Sequence, residues 1–437
     1  MSTAPVSPVT AVVVVGTRPE AIKMLPLIGA LRDSAWAHPV VVSTGQHAEM
    51  VAEVLAIDGI APDVTFALPA ERGLTTLFAG VMEQFDAFLA ERFGPALRPD
   101  DAPYAQGYPA ACFVHGDTSS AAAAALAAFH RHLPVVHVEA GLRTSNTLSP
   151  FPEELNRQLI SRIAALHLAP TTRNKANLVR EGIDFDRVFV TGNTAIDALQ
   201  IAARSRVPYE HDALRALDEQ FADAPVVVVT AHRRENWGAP MDRIADAVEI
   251  LAERYPRVRF VIALHPNPAL AEVWRRRLSG VENAVLLPAL SYSSFARLLA
   301  RASLAISDSG GVQEEAPSLG TPVLCVREST ERQEGVDAGT VQLVGTETVD
   351  IVAAAVPLLD DPALLARRAK RPNPYGDGHA ARRILEALRY IVFDTTPPVP
   401  LGPGFDRAAV LRAGGSSDPA EEGWIDSWTD MLLAESP

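Results

Sequence analysis

Cysteine is almost missing from this 437-residue chain, which has only Cys112 and Cys325. Each follows apolar or small residues in a strand-like run, so neither a disulfide framework nor a zinc cluster is expected, and a reducing, cytoplasmic compartment is. Apolar runs approaching the ~20 residues of a membrane span are also lacking. The opening MSTAPVSPVT has neither the basic start nor the apolar core of a secretory signal. Positive charge is in deficit, with 39 Lys and Arg against 53 Asp and Glu and a formal net charge of −14. That excludes the extended cationic face a nucleic-acid backbone requires. An anionic ligand would have to meet cations gathered locally, and short clusters supply them: Arg18 with Lys23, Arg143 with Arg157, Arg233 with Arg234, Arg327 with Arg332. No repeat of about 20–50 residues is present, so a solenoid is excluded.

What is present is an alternation of β-branched runs with Ala- and Leu-rich helical segments. Strand-like runs fall at 11–15, 40–42, 111–114, 135–138 and 187–190, and again at 226–229, 258–263, 284–287, 304–306 and 323–326. Continuous apolar strands spaced by helices predict parallel sheets covered on both faces. The length suits two α/β domains. The polar segment 205–224 has few strand signals and marks the break, which gives domains 1–204 and 205–377 with a cleft between them. Residues 98–110 read as a surface loop. Residues 393–437 form a Pro-rich acidic tail that ends in a short helix at most.

In parallel sheets ligands meet the carboxyl ends of the strands, and the unusual residues gather there. The richest stretch is 303–334, SLAISDSGGVQEEAPSLGTPVLCVRESTERQE. It reads as a strand, a glycine turn at Ser309-Gly310-Gly311 and a helix start. Unpaired N–H groups and the helix dipole there suit a diphosphate. Glu315 could accept hydrogen bonds from ribose hydroxyls, with Arg332 as a phosphate partner. The competing reading is a plain strand-to-helix turn. Elsewhere, Arg18 follows the first strand in GTRPEAIK, placed to meet phosphate. Asp117 ends VHGDT, Glu139 lies in HVEAGLRT, and Glu153 opens a helix whose Arg157 shares its face at i, i+4. His232 follows a strand in AHRREN. Asp117 could equally be a helix N-cap, Glu153 a first-turn acid and His232 a structural histidine. Taken together, several neighbouring carboxylates suit paired acid and base work.

The segments GTRPEAIK, TGQH, VHGDT, HVEAGLRT, PFPEELNR, TGNTAIDAL, AHRREN, SDSGGVQEEAPSLGTPVL, TERQEGVDAGT and NPYGDG resemble the signature set of the non-hydrolysing UDP-N-acetylglucosamine 2-epimerases, over roughly residues 10–390. The resemblance implies a GT-B-like fold of two doubly wound, Rossmann-like parallel-sheet domains, with a final helix, 378–392, returning to the first. It also implies interconversion of UDP-GlcNAc and UDP-ManNAc through a 2-acetamidoglucal, without cofactor or metal, in a homodimer. By the same resemblance Asp117, Glu139 and Glu153 are the proton-transfer candidates, the face each serves staying open, and His232 helps UDP depart. Arg18, Ser309, Gly310, Gly311 and Arg332 are diphosphate contacts, Glu315 a ribose contact and Phe295 an apolar neighbour of uracil. Lys23, Arg157 and Asn193 are further substrate-site candidates. Gln46, His47 and Arg72 resemble the residues through which some members bind a second UDP-GlcNAc as activator. Glu49 stands where some of those enzymes have glutamine, which leaves activation open. Gln333 replaces a common proline, and the tail beyond about 392 has no family counterpart. Two alternatives remain: a hydrolysing or modified-sugar epimerase, and a GT-B transferase or binding protein without epimerase activity.

Overall fold

The computed structural model describes residues 8–69, 73–96 and 107–415. It divides into two compact units, one built from the chain up to Thr194 together with its return from His379, the other from Ala195–Gly378. Each unit is a parallel sheet with helices on both faces.

The first sheet holds β1 (Val9–Val15), β2 (Ala37–Ser43), β3 (Val64–Thr65), β4 (Ala111–His115), β5 (Val135–Val138), β6 (Leu166–Ala169) and β7 (Val188–Val190). Their order is β3-β2-β1-β4-β5-β6-β7, so the direction of winding reverses between β1 and β4. The run of valines in β1 explains why it lies centrally. Ala11, Val13 and Val15 point into one apolar layer while Val12 and Val14 point into the other, all almost fully buried. A strand apolar on both faces is stable only between two helical layers, and each buried valine contributes about 1.5–3 kcal/mol.

The second sheet holds β8 (Val226–Thr230), β9 (Arg259–Ala263), β10 (Ala284–Leu287), β11 (Leu304–Ser307), β12 (Val323–Cys325) and β13 (Val341–Leu343), in the order β10-β9-β8-β11-β12-β13. Here the reversal falls between β8 and β11. The same alternation recurs: Val227 and Val229 enter one layer, Val226 and Val228 the other. These are the two Rossmann-like sheets expected of a GT-B-like fold. No helix among the described residues is long and apolar enough to cross a membrane.

The break falls ahead of the polar segment, between Thr194 and Ala195, so residues 195–204 join 205–224 in the second unit. Helix Thr194–Ala203 sends Leu199 and Ala202 into its core, and helix Asp212–Glu219 adds Leu214 and Leu217. A polar sequence hides a buried stripe when its few leucines recur at helical spacing. The returning helix is Ala380–Phe393, whose Ala381, Ile384, Ala387 and Leu388 pack in the layer that also holds Met24 and Ile28 of helix Arg18–Arg32.

The tail differs from the linker expected. Leu401 N donates to Val190 O at 3.3 Å and Val190 N donates to Pro403 O at 3.2 Å, so the tail covers the outer edge of β7. Phe405 packs on Phe189 at 5.1 Å between ring centroids, and helix Arg407–Ala413 buries Val410 and Leu411. A pinned cation completes the strap. Lys175, 2% exposed, donates to Val188 O at 2.6 Å and to Gly404 O at 2.8 Å, and burial pulls its ammonium down to about 8. Trp424 and Trp428 lie outside the described residues. A chain ending at residue 393 would leave the β7 edge open and take a carbonyl partner from Lys175. Its melting temperature is expected to fall by at least about 5 °C and its tendency to self-associate to rise. Calorimetry and size-exclusion chromatography check this, and an unchanged melting point with a single unaltered species would rule out a stabilising strap.

Candidate functional site

In the first unit the site loops follow β1, β4 and β5. After β1, Thr17 caps helix Arg18–Arg32 while the helix's own Glu20 reaches back, accepting from Gly16 N at 3.0 Å, Thr17 N at 2.7 Å and Thr17 Oγ1 at 2.8 Å. Its other oxygen accepts from Thr118 Oγ1 at 2.7 Å. Glu20 is 3% exposed and therefore ties the loop after β1 to the loop after β4 across the reversal in strand order. Burial pushes its carboxyl up, with Thr118, Thr17 and the Gly16 and Thr17 amides pulling back. Arg18 stays exposed, with no ion pair among the described residues.

Asp117 is not the helix cap. Thr118 caps helix Ser119–His130, its side chain accepting from Ala121 N. The Asp117 carboxylate instead meets Arg157, Oδ2 lying 2.9 Å from Nε and 2.6 Å from Nη2. Burial and the nearby Glu139 raise the Asp117 carboxyl against the pull of Arg157 and Lys23, with burial the largest influence. Glu139 sits just beyond β5 with φ of 63°, a left-handed backbone that non-glycine residues rarely adopt and that clusters at functional sites. Its Oε1 is bonded by Lys23 Nζ and faces Asn193 Nδ2 at 3.4 Å. Oε2 lies 3.7 Å from His115 Nε2. The structure thus brings Asp117, Glu139, Lys23, Arg157 and Asn193 together.

Glu153 has no hydrogen bond or ion pair to this set among the described residues. It opens helix Glu153–Ile163, half-buried, and does not pair with Arg157. Arg157 turns instead to Glu154, Nη1 to Oε2 at 2.9 Å. Glu154 is fully buried and also accepts from Thr144 N and Ser145 N, both at 3.1 Å. Burial alone would raise its carboxyl, but the Arg157 and backbone donors bring it below the usual range. Sequence reading missed Glu154; the only signal was a doubled acid ahead of an arginine. Arg143 is also structural, bonded to Glu181 at 2.7 and 2.9 Å. Gln46 accepts from Ser120 Oγ at 2.8 Å, and His47 N donates to Gly16 O, so both sit beside the loop after β1. Arg72 lies outside the described residues.

In the second unit β11 ends at Ser307, Asp308 follows, and Ser309 holds the N-cap position of the six-residue helix Gly310–Glu315. The Arg332 guanidinium covers Gly310 so closely that a Cβ there would lie 3.1 Å from Cζ. Arg332 is held by Glu314, Nε to Oε1 at 2.8 Å. Beneath it, fully buried Gln313 accepts from Thr330 Oγ1 at 2.6 Å, and Thr330 Oγ1 accepts from Arg332 N at 3.1 Å. Arg327, expected among the phosphate cations, is committed to Glu235 at 2.5 Å and Glu331 at 3.0 Å. Phe295 is half-buried on helix Tyr292–Arg301. Tyr292, which sequence reading did not single out, lies near Glu315, and burial together with that carboxylate pushes its hydroxyl upward. His232 follows β8, about one-third exposed, its ring stacked on His265 at 5.8 Å.

One family model, UDP-N-acetylglucosamine 2-epimerase, matches residues 29–389. The chain belongs to the UDP-N-acetylglucosamine 2-epimerase family. A Salmonella typhimurium UDP-N-acetylglucosamine 2-epimerase is 44% identical over 382 residues, covering 86% of this chain and 97% of that protein. The Neisseria meningitidis UDP-GlcNAc 2-epimerase, solved bound to UDP-GlcNAc, is 39% identical with a TM-score of 0.69, covering 87% of this chain and 99% of that one. MnaA of S. aureus, solved with UDP, is 37% identical with a TM-score of 0.72, covering 90% and 100%.

Three buried histidines underlie the first unit's loops in this epimerase-family chain: His115, His137 and His167 on adjacent strands β4, β5 and β6. Burial depresses His115 to about 3 and His137 to about 4, and takes His167 well below its ordinary 6.5. Both ring nitrogens of His167 lack a hydrogen-bond partner among the described residues. All three are neutral when folded and take up protons when unfolded below pH 6.5, so the unfolded state gains protons and stability falls with pH. His167→Leu should flatten the decline of the urea midpoint between pH 7 and pH 5, by up to one proton or about 1.4 kcal/mol per pH unit. Superimposable slopes for the variant and the parent protein would show that His167 is not the source.

Proposed function

We propose that the protein interconverts UDP-GlcNAc and UDP-ManNAc by eliminating UDP to a 2-acetamidoglucal and adding it back. The observation that carries this reading is the Asp117 and Glu139 pair, two carboxyl groups close enough to influence one another at the ends of adjacent strands, in a chain of this family. Epimerisation at C2 needs a proton removed on one face of the ring and returned on the other. Two neighbouring carboxyls in different environments suit the separate roles of base and acid. Burial raises Asp117, while Lys23 bonds Glu139. Glu153 is the third candidate by family resemblance.

As the C1–O1 bond breaks, electrons pass to the β-phosphate oxygen and the C2 hydrogen becomes acidic. A carboxylate takes that proton, forming the C1–C2 double bond. Return of a proton to C2 on the opposite face and of UDP oxygen to C1 completes the inversion. Arg18, Arg332, His232, the Ser309 hydroxyl and the amides at Gly310 and Gly311 would meet the charge growing on UDP, with Glu315 on the ribose and Phe295 against uracil. Lys23, Arg157 and Asn193 hold the carboxyl groups. The proton-transfer candidates belong to the first unit, and most residues proposed to meet UDP belong to the second. We assign the enzyme to the cytoplasm as a homodimer. UDP-GlcNAc acting as an activator through Gln46 and His47 is the corresponding regulatory reading.

Incubation with UDP-GlcNAc in D2O, without added metal or nicotinamide, should yield UDP-ManNAc carrying deuterium at C2. Free ManNAc with UDP as the main products would move the protein to a hydrolysing type, and absence of isotope entry would favour a transferase or binding role. Asp117→Asn, Glu139→Gln and Glu153→Gln should each lower turnover at least about 100-fold while UDP affinity stays within about tenfold. Near-normal turnover in all three defeats the assignment.

A further inference from the structure

Asp308 is fully buried, yet its carboxylate is among the most heavily bonded side chains of the second unit. Oδ2 accepts from His232 N at 2.9 Å, Arg233 N at 2.8 Å and Asn236 Nδ2 at 2.9 Å, and Oδ1 accepts from His232 N at 3.1 Å. Asp308 N in turn donates to Thr230 O at 3.3 Å. These bonds join the loop after β11 to the loop after β8, across the reversal in strand order. An ionised carboxylate is an acceptor with two oxygens and no donor, matched here to converging N–H groups that would otherwise be buried without partners. The His232 ring is held less directly, its Nδ1 lying 3.7 Å from Oδ1. That is beyond a hydrogen bond but within reach of a small ring rotation, and bonds of this kind often tighten only around a ligand.

We propose that Asp308 is a positioning residue that fixes His232, clamping its backbone and supporting the protonated form of its ring. This rests on the reading of His232 as the group that helps UDP depart. The charged and titratable groups facing His232 are Asp308 beyond β11, Arg233 on its own turn and His265 beyond β9. Burial, the largest influence, lowers the ring below its ordinary value, with Arg233 and His265 acting the same way; among the described residues only Asp308 favours the imidazolium. Without that carboxylate the ring would be a poorer proton donor to a departing diphosphate. Asn236 is a second part of the clamp, since its amide bonds both Asp308 and Val326 O.

The test uses the full-length protein. Asp308→Asn should lower turnover at least about tenfold while calorimetric UDP affinity changes less than about threefold, and should move the His232 titration, followed by NMR of its ring C–H, to lower pH. Asn236→Ala keeps the carboxylate and removes one donor, so a smaller loss of turnover is expected, and it decides the matter if Asp308→Asn does not fold. A folded Asp308→Asn protein with the parent's turnover and an unshifted His232 titration overturns the proposal, as does undiminished turnover in Asn236→Ala when the first variant cannot be made. His232→Asn separates the two readings. Unimpaired turnover there removes the role given to His232, whereas the titration shift in Asp308→Asn reports the clamp independently.

Discussion

Each sheet has a buried carboxylate at the point where its strand order reverses, and the geometry of the site loops depends on that pair. Glu20 serves the first sheet and Asp308 the second, at 3% and 0% exposure. In both cases the acid follows one strand, Glu20 in the first turn of a helix and Asp308 on a loop, and its donors include groups on the loop across the reversal: Thr118 for Glu20, and the His232 and Arg233 amides for Asp308. At such a point neighbouring connections leave in opposite directions and open a crevice at the strand ends. The loops beside the crevice cannot complete a ladder with each other, so their amides need another acceptor. A carboxylate beneath them supplies several acceptor positions at once. Burying a charge is costly, and it is tolerated here because each oxygen meets directed donors.

A rigid frame of this kind lets reactive groups be held in unfavourable states. Glu139 is kept in a left-handed backbone and bonded by Lys23, and Asp117 is desolvated beside Arg157. None of these features stabilises the fold much by itself. The left-handed residue alone costs roughly 1–3 kcal/mol, and persists only where the surroundings determine it fully. The surroundings here are the doubly covered β1, β4 and β5, together with Glu154, whose bonds to Thr144, Ser145 and Arg157 immobilise the arginine that faces Asp117. The acid next to the predicted one is therefore structural, and the two were indistinguishable by residue type.

Much of the architecture was legible in the sequence because buried parallel strands are written as β-branched runs. All ten named runs contain or overlap strands. β3, β6 and β13 were not among them, and the reason is physical: β3 has two residues, β13 three, and β6 reads LHLA, with a buried histidine interrupting the apolar pattern. The strand-end motifs pointed to Arg18, Asp117, Glu139 and His232, since chemistry gathers where strands stop. Glu20 and Asp308 stood inside those same motifs without being singled out. The bonds of Glu20 to Gly16 and Thr17 belong to a local capping box, but the ties across the reversals depend on donors 98 and 72 to 76 positions away in the chain, which no local pattern encodes. The tail was misread for the opposite reason. Its prolines suggest a linker, but an extended segment with few N–H groups is well suited to cover a sheet edge, where only some ladder positions need a donor.

The acidic balance of the chain bears on how a diphosphate would be held. Arg332 is already paired with Glu314 and Arg327 with Glu235 and Glu331. An anion arriving at Gly310 would have to displace or share the Glu314 carboxylate, so its attraction to Arg332 counts only as the difference between two ion pairs. That makes strong ground-state binding through this arginine unlike the usual picture of an open cationic pocket. It also has a kinetic advantage. In the proposed elimination the charge that distinguishes the transition state is the extra negative charge on the leaving β-phosphate, and Arg332 meets that increment fully only as far as Glu314 gives way. Interactions that strengthen only as charge develops raise turnover, whereas those equally strong at the start merely deepen the ground state. A net negative protein can thus act on a negative substrate, provided its cations are neutralised by partners that yield at the moment the bond breaks.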